Sequence, residues 1–232
     1  MNTTSIQLSV IIPGHNEAEN LRRLIPALDD ALAHVNYELV VVNNASTDHT
    51  DVVLQELARA MPRTVVVHEP ALGYGRAVRA GLAASRGAVL AIIRADHQEK
   101  PEDLARMHHL LIAEGAHIYK GIRKSRRGDG VARLLVSRVY NALFRAVFHV
   151  PYQDINAAPK LMTRAFYDAA LLVSNDWFID AEIMLKAAAR SCKVGEVEIE
   201  YLPRKSGRSL VRPRHVVEFL RNMVVWKRTY GT

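Results

Sequence analysis

The feature that most constrains the fold is a unit made of a short apolar strand, a polar loop and an amphipathic helix, which occurs four times in a row. The apolar runs cover residues 8–12, 38–42, 64–67 and 88–93, and a helical pattern follows each of them. Continuous apolar strands that alternate with helices are typical of a mostly parallel sheet covered on both faces. We therefore predict an α/β, Rossmann-like fold. Its polar loops should gather at the carboxyl ends of the strands, where such sheets bind ligands.

The second half of the chain is more basic and less regular. Residues 123–130 form a basic, glycine-containing loop in this interpretation. Residues 131–150 have apolar positions near helical period, three arginines and no acid, which predicts a basic amphipathic helix. The remaining predicted elements are a strand near residues 160–162, a helix at 180–190, a strand at 194–201 and a final helix at about 213–229.

Composition limits the kind of protein. The 232 residues are 49% apolar and 24% charged, which is ordinary for a folded protein and suits one domain. The net charge of +7 points to an anionic partner such as a nucleotide, a nucleic acid or an anionic lipid. The single cysteine excludes an intrachain disulfide and a cysteine-clustered zinc site, and suits a reducing compartment. No apolar run approaches the roughly 20 residues that span a bilayer, so we expect a cytoplasmic protein that at most contacts the membrane surface.

Four loops carry motifs, each directly after a predicted strand. They are Pro13-Gly-His-Asn-Glu17, Asn43-Asn-Ala-Ser-Thr-Asp48, Gly73-Tyr-Gly75 with Arg79, and Arg94-Ala-Asp96-His-Gln98 followed by Pro101-Glu102. In order and spacing they resemble the family-2 glycosyltransferases, especially the dolichyl- and polyprenyl-phosphate sugar synthases. Looser matches at residues 137–141, 154–160, 178–182 and 196–199 extend the resemblance over most of the chain.

The resemblance implies a GT-A fold that transfers a sugar, with inversion, from a nucleoside-diphosphate sugar to an acceptor. It implies one domain over residues 1–232, with a nucleotide-sugar-binding half at 1–115 and an acceptor-binding half of helices and strands at 116–232. The acceptor that it suggests is a polyprenyl phosphate at a membrane surface.

The donor nucleotide is assigned to the first-half loops. A base needs a slot with a carboxylate or amide that reads its edge, and glycines let backbone N–H groups at a helix start approach an anion. The predicted donor-binding residues are Pro13, His15, Glu17, Asn43, Asn44, Gly73, Gly75, Arg79, Arg94 and Asp96. In the alternative interpretation, Asn16 and Glu19 form a capping box that opens the first helix, and Glu17 is solvated.

The loop after the fourth strand departs from the family. Relatives place two carboxylates of an Asp-x-Asp motif on a divalent cation that neutralises the leaving diphosphate. Here Arg94 holds the first position, and a guanidinium repels a cation but binds phosphate. Either Asp96 with Gln98 holds Mg²⁺ or Mn²⁺ weakly, or Arg94 replaces the metal, which is the interpretation we favour. A third interpretation is an Arg94–Asp96 salt bridge in an inactive descendant.

The second half supplies the candidates for acceptor chemistry. The predicted catalytic residues are Asp154, Asp180 and Glu182, with Asp96 from the first half. A hydroxyl acceptor requires one of the three second-half acids as general base, whereas a lipid phosphate requires cationic donors instead. The predicted donors to such a phosphate are Arg123, Arg126, Arg127, Lys160, Arg204 and Arg208. The basic helix at 131–150 and the last helix either pack on the sheet or also lie on an anionic membrane.

Two other classes of protein compete with an active transferase. The acids replaced at Arg94, Asn43 and Asn44 would also suit a silent nucleotide-binding module of the same fold. A nucleic-acid-binding protein would explain the charge of +7, but aromatic residues make up only 6% of the chain and no zinc-finger spacing occurs. We therefore expect no nucleic-acid partner.

Overall fold

The computed structural model describes residues 5–125, 131–203 and 213–230, and strands alternate with helices through most of this length. The strands are β1 (Leu8–Gly14), β2 (Tyr37–Asn44), β3 (Thr64–Glu69), β4 (Val89–Ile92), β5 (Ile118–Ser125), β6 (Lys160–Thr163) and β7 (Val194–Glu200). The helices are α1 (Ala18–Ala31), α2 (Thr50–Ala60), α3 (Tyr74–Ala84), α4 (Pro101–Glu114), α5 (Val131–Phe148), α6 (Arg164–Ala170), α7 (Ile179–Ala189) and α8 (Pro213–Tyr230). Arg126, Arg127, Arg204 and Arg208 lie outside the described residues.

The seven strands form one sheet in the order β3-β2-β1-β4-β6-β5-β7. Strand β6 runs antiparallel to both of its neighbours, β4 and β5, and the other pairs are parallel. The predicted mostly parallel sheet is therefore confirmed. The position of β6 joins strands from the two halves of the chain at the middle of the sheet.

Helices cover both faces of the sheet because the strands bury both sets of alternating side chains. In β1, Val10 and Ile12 face the core under α1 and α4, whereas Ile11 faces the core that α3, α5 and α7 cover. Full burial of an aliphatic side chain of this size stabilises the fold by roughly 1.5–3 kcal/mol. Within the described part of the chain, no helix is long and apolar enough to cross a bilayer.

The predicted capping box at the first helix is wrong. Helix α1 begins after Glu17, with no side-chain cap, and Asn16 lies outside it at a φ of 56°. The Asn16 side chain instead accepts backbone N–H groups of Thr47 at 2.8 Å and Asp48 at 3.3 Å. The local pattern assigned the Asn16 side chain to a helix cap. In the structure this side chain instead joins the loop after β1 to the loop after β2.

Candidate functional site

The first-half loops meet at the carboxyl edge of the sheet, as the strand pattern predicts. Gly14 at the end of β1 is paired with Asn43 at the end of β2. The loops also bond directly to one another, since His15 Nδ1 donates to the carbonyl oxygen of Asn44 at 2.7 Å. Pro13 is buried in β1 beside Val42. This edge is the candidate donor site.

Asn44 ties the loops after β2 and β3 together through its side-chain amide. Its Nδ2 donates to the carbonyl oxygens of Ala71 at 2.8 Å and Glu69 at 3.3 Å, and its Oδ1 accepts the N–H of Gly73 at 2.9 Å. A carboxylate has no hydrogen to donate to these two carbonyls. This need for an amide explains the residue without reference to the charge of Arg94.

The Asn44→Asp substitution should lower the free energy of unfolding by about 1–3 kcal/mol, because a buried carboxylate would face two carbonyl oxygens without a proton to share. Urea denaturation followed by circular dichroism measures the loss. Asn36→Asp is the matched control, since its exposed Nδ2 also donates to a carbonyl oxygen, that of Ser5 at 2.9 Å. Water solvates the new charge there, and a change within about 0.5 kcal/mol is expected. Equal losses in the two variants would contradict the role of Asn44.

Glu17 and Asn43 are both buried at the donor edge. Glu17 is 7% exposed, and its Oε2 accepts from Nδ2 of Asn20 at 2.5 Å. The alternative of a solvated Glu17 is therefore wrong. Asn43 Oδ1 accepts the N–H of Ser46 at 3.3 Å and its Nδ2 donates to Asp51 at 3.2 Å. Their contact with a nucleotide base stays a prediction.

The glycines at the start of α3 make room for protein backbone. A methyl group at Gly75 would lie 2.5 Å from the carbonyl oxygen of Ser174, and one at Gly73 would lie 2.7 Å from that of Asn175. Arg79 points to the same segment, with NH1 donating to Oδ1 of Asn175 at 2.6 Å. The close approach that the sequence assigned to an anion is thus made by a loop of the second half. Arg79, which the sequence assigned to donor binding, contacts this loop in the structure.

Arg94 is held by a carboxylate that the motif comparison missed. Its Nε and NH2 donate to Oε1 of Glu99 at 2.9 and 2.6 Å, and the Glu99 side chain is fully buried. Burial lowers the pKa of Arg94, but Glu99, Tyr201, Asp96 and Tyr74 together outweigh it and the net shift is well upward, so the guanidinium stays charged. The two residues are five positions apart in the sequence, and no local pattern distinguishes Glu99 from a solvated acid.

The predicted metal-binding role of Gln98 is not supported by its contacts. Its Nε2 donates to the carbonyl oxygen of Leu202 at 2.9 Å, and its Oε1 accepts from the hydroxyl of Tyr201 at 2.8 Å. Gln98 therefore docks the segment after β7 onto the β4 loop. In the described ranges no group of three His, Cys, Asp or Glu side chains is placed to hold a metal ion. Asp96 stays the predicted ligand, and a cation there would depend on phosphate oxygens for its remaining ligands.

A cleft of about 410 Å³ opens beside Arg94, between α5, α7 and α8. Its polar floor includes Arg94, Arg123, Asp154 and Asp180, and its walls are apolar. We call it the central cleft. The residues that line it are Tyr74, Arg94, Arg123, Leu135, Val136, Ser137, Val139, Tyr140, Asn141, Leu143, Asp154, Asn156, Trp177, Asp180, Phe219 and Leu220.

Asp154 and Arg123 form a two-armed ion pair on this floor. Arg123 donates from Nε at 2.8 Å and from NH2 at 2.5 Å, and its backbone N–H adds a bond of 3.2 Å. Despite burial, the Asp154 carboxylate raises the pKa of Arg123. The ring of Tyr201 is close to both arginines, with its centre 5.3 Å from Cζ of Arg123 and 5.7 Å from Cζ of Arg94. Both guanidinium groups are thus fixed before any ligand binds.

The other two predicted acids also have cationic partners. Asp180 Oδ1 accepts from Nζ of Lys160 at 2.7 Å. Glu182 is fully buried, pairs with Lys186 at 2.6 Å and accepts the N–H groups of Val173 and Ser174 at 2.8 and 2.7 Å. Glu182 therefore holds the loop that packs on α3, whereas the sequence assigned it to catalysis as a candidate general base.

Two buried lysines hold the backbone on either side of Asp154. Lys120 Nζ donates to the carbonyl oxygen of Gln153 at 2.5 Å, and Lys160 Nζ donates to that of Ile155 at 3.1 Å. Asp154 itself has a φ of 39°, in the left-handed region that non-glycine residues rarely adopt. Lys160 was predicted to bind an acceptor phosphate, but its Nζ is turned to protein groups. Lys120 does not stand out in the sequence, because its apolar neighbours give the pattern of an ordinary buried strand.

Lys120 should make stability rise at alkaline pH. Burial is the main cause that lowers its pKa to about 8, whereas an unfolded lysine titrates near 10.4. Between these values the unfolded chain holds a proton that the native chain has lost, so the free energy of unfolding increases with pH, by up to about 3 kcal/mol. Urea titrations of wild type and Lys120→Met at pH 7.5 and 10 give the free energy of unfolding of each. The difference, wild type minus variant, should be larger at pH 10 than at pH 7.5. A difference that stays constant or shrinks between these pH values would contradict a lowered pKa of Lys120.

The fold and this site define a glycosyltransferase of the GT-A type. The sequence model of Glycosyl transferase family 2 matches residues 9–176, so the chain belongs to that family. A solved structure of glucosyl-3-phosphoglycerate synthase from Mycobacterium tuberculosis with phosphoglyceric acid has a TM-score of 0.74 and 20% identity, over 97% of this chain and 80% of that one. The same enzyme with Mn²⁺, UDP-glucose and phosphoglyceric acid gives 0.73 and 19%, over 94% and 79%. These likenesses show the fold.

Three relatives are similar in sequence. The undecaprenyl-phosphate 4-deoxy-4-formamido-L-arabinose transferase of Pseudomonas savastanoi is 26% identical over 94% of this chain and 64% of its own length. The dolichol-phosphate mannosyltransferase of Pyrococcus furiosus is 28% identical over 94% and 63%. An uncharacterized glycosyltransferase of Mycobacterium tuberculosis is 31% identical over 88% and 89%. The chain thus spans less than two thirds of the first two relatives.

Proposed function

We propose that the chain transfers a sugar, with inversion, from a nucleoside-diphosphate sugar to a polyprenyl phosphate. The observation that carries this proposal is the shape and chemistry of the central cleft. Fixed guanidinium groups of Arg94 and Arg123 lie on its floor and suit a phosphate. Its walls include Leu135, Val139 and Leu220, which suit an isoprenoid chain. The names of two relatives give the same class of acceptor.

The ion pairs of the second-half acids also favour a phosphate acceptor. A hydroxyl acceptor needs a carboxylate free to take its proton, but Asp154 is paired with Arg123 and Asp180 with Lys160. Glu182 is paired with Lys186 and fully buried. A phosphate oxygen is already anionic near neutral pH and attacks without a base. The site therefore fits an acceptor whose nucleophile is ionised in solution.

We also propose that the mouth of the central cleft rests on an anionic membrane surface. Leu135, Val139 and Leu220 line the cleft and are also 61%, 50% and 45% exposed. Exposed basic side chains on the same two helices, α5 and α8, would face lipid headgroups; they are Arg138, Arg145, Arg221, Lys227 and Arg228. The acceptor could then enter with its chain still in the bilayer. The proposed position is peripheral, at the cytoplasmic face of a membrane.

The donor is proposed to bind at the loop edge, with a reduced need for a divalent cation. Arg94 supplies fixed positive charge where the family has an acid, although Glu99 shares that charge. Thermal stabilisation by nucleoside diphosphates should therefore survive EDTA. If stabilisation appears only with Mg²⁺ or Mn²⁺, a metal ion at Asp96 rather than Arg94 neutralises the diphosphate. Screening UDP, GDP, CDP, ADP and dTDP in both conditions also identifies the base.

The transfer itself is tested with the full chain and anionic lipid vesicles. Each nucleoside-diphosphate sugar is incubated with geranylgeranyl phosphate, with geranylgeraniol and with 3-phosphoglycerate, and nucleoside diphosphate release is measured. We expect release only with the lipid phosphate. Release with the alcohol would imply a general base, and release with 3-phosphoglycerate would imply a soluble acceptor. Donor binding without release from any acceptor would favour the silent nucleotide-binding module.

A further inference from the structure

Beside its arginines, the central cleft holds polar atoms that the proposed transfer does not use. The hydroxyl oxygens of Tyr74 and Tyr140 and the Oδ1 atom of Asn156 are shielded from solvent. In the described part of the chain none of these three atoms makes a well-formed hydrogen bond; the Tyr74 hydroxyl interacts with Asp180 and the Tyr140 hydroxyl with Asn156 outside that geometry. A buried polar atom without a partner costs about 1–3 kcal/mol, and native proteins hold few of them. Three incompletely bonded atoms at one cleft point to a ligand that completes their bonds.

The three groups come from separate parts of the chain: both tyrosines lie near Asp180 of α7, and Asn156 lies beside Tyr140. Tyr74 begins α3, directly after the donor loop of β3, and Tyr140 lies on α5. Burial raises the pKa of both tyrosines and the Asp180 carboxylate adds a smaller upward effect, which for Tyr140 the interaction with Asn156 opposes, so both remain neutral hydroxyl groups. Lys160 fixes Asp180 from the side of the core at 2.7 Å. The cluster therefore combines two hydroxyls, an amide and a carboxylate around one space.

An aromatic wall adjoins this cluster. The rings of Tyr74 and Trp177 are stacked with their centres 4.6 Å apart and their planes at 11°. Both residues line the central cleft. The stack places a rigid apolar surface beside the hydroxyl groups in this cleft.

This mixture of groups matches a sugar better than a phosphate or an isoprenoid. A phosphate needs donors and positive charge, which Arg94 and Arg123 already supply, and it is repelled by the Asp180 carboxylate. An isoprenoid chain offers no hydrogen bonds. The hydroxyl groups of a sugar both donate and accept, and its C–H groups pack against aromatic rings.

We propose that Tyr74, Tyr140, Asn156 and Asp180 form the subsite that reads the hydroxyl groups of the transferred sugar. The inference rests on the proposed function, because it assumes a nucleotide-sugar donor whose sugar reaches the central cleft. It makes Tyr140, on a helix of the acceptor half, a determinant of donor specificity. Neither the loop motifs nor the residues that hold phosphate groups account for that specificity.

The test uses Tyr140→Phe and Tyr74→Phe in the full chain, with calorimetric binding as the first readout. Each change removes one hydroxyl and keeps the ring, so the contact of Tyr140 with Phe219, 5.0 Å between ring centres, is preserved. Affinity for the nucleoside-diphosphate sugar should fall about 3- to 10-fold, the worth of one neutral hydrogen bond. Affinity for the nucleoside diphosphate alone should not change. Tyr152→Phe, a partly buried tyrosine outside the lining of the cleft, is the control and should change neither affinity.

The second readout is discrimination among donors that differ at a single hydroxyl. Wild type should prefer the complete sugar over one deoxy analogue, and Tyr140→Phe or Tyr74→Phe should remove that preference. Unchanged sugar affinity in both variants would overturn the proposal, as would an effect confined to the KM of the lipid phosphate. The binding measurement needs no acceptor. A loss of sugar affinity without any transfer to lipid phosphates would therefore overturn the proposed acceptor and leave the sugar subsite standing.

Discussion

Replacing Arg94 with alanine is expected to lower the free energy of unfolding by about 3–5 kcal/mol. The change leaves Glu99 fully buried without its counter-ion, and breaking a buried pair by removing one partner has a penalty of this size. Glu99 would respond by taking up a proton, since burial already raises its pKa. The loss should therefore shrink as the pH is lowered from 7 toward 5. Urea denaturation at several pH values measures both effects.

A double variant separates the structural role of Arg94 from its role toward ligands. Replacing both Arg94 and Glu99 with methionine removes the pair without leaving a buried charge, and such replacements are often neutral or stabilising. We expect the double variant to recover most of the stability lost in Arg94→Ala while its affinity for nucleoside diphosphate stays weak. Recovery of both properties would show that Arg94 serves the fold alone.

The Arg123→Met variant is expected to lower kcat/KM for the lipid phosphate by about 100- to 1,000-fold. The change removes the guanidinium group that is fixed on the floor of the cleft, and losing about 3–4 kcal/mol of charge-assisted hydrogen bonding to the phosphate corresponds to this factor. Arg123→Lys should fall between wild type and Arg123→Met, because lysine keeps the charge but loses the planar fork. Initial rates at varied acceptor and donor concentrations give the parameters.

Lys124→Met is the matched control for the floor. Lys124 is adjacent in β5, but its side chain is 72% exposed and pairs with Glu198 at 2.8 Å outside the cleft. Its removal should leave kcat/KM unchanged. An equal fall in the control, or a fall in Arg123→Met that appears as weaker donor binding, would count against an acceptor site at Arg123.

The sequence predicted the arrangement of the loops because that arrangement depends on local patterns. Apolar strands followed by helices force parallel pairing, and parallel pairing brings the loops after β1 and β2 to one edge. The motif residues His15 and Asn44 are accordingly in contact there. Patterns of this kind extend over a few residues and survive without knowledge of the tertiary structure.

The partners of the site residues were not predictable in the same way. Glu99 beneath Arg94, and Lys120 beside the backbone of Asp154, are recognised only when distant segments are folded together. For the same reason the sequence predicted Glu182 to be a catalytic acid, whereas its partners include the backbone of Val173. A motif identifies which residues are present, but the pairing of each charge depends on the packed structure.

The central place of β6 has a consequence for how the chain reaches its native state. Val89 of β4 pairs with Thr163 of β6, and β6 also pairs with β5, so the middle of the sheet closes only through contacts far apart along the chain. Such contacts slow folding. During synthesis β4 remains an open edge until β6 has left the ribosome, and open edges promote association between chains. A fragment that ends before β6 should consequently aggregate, and a chaperone that shields β4 in the interval would improve the yield of the whole protein.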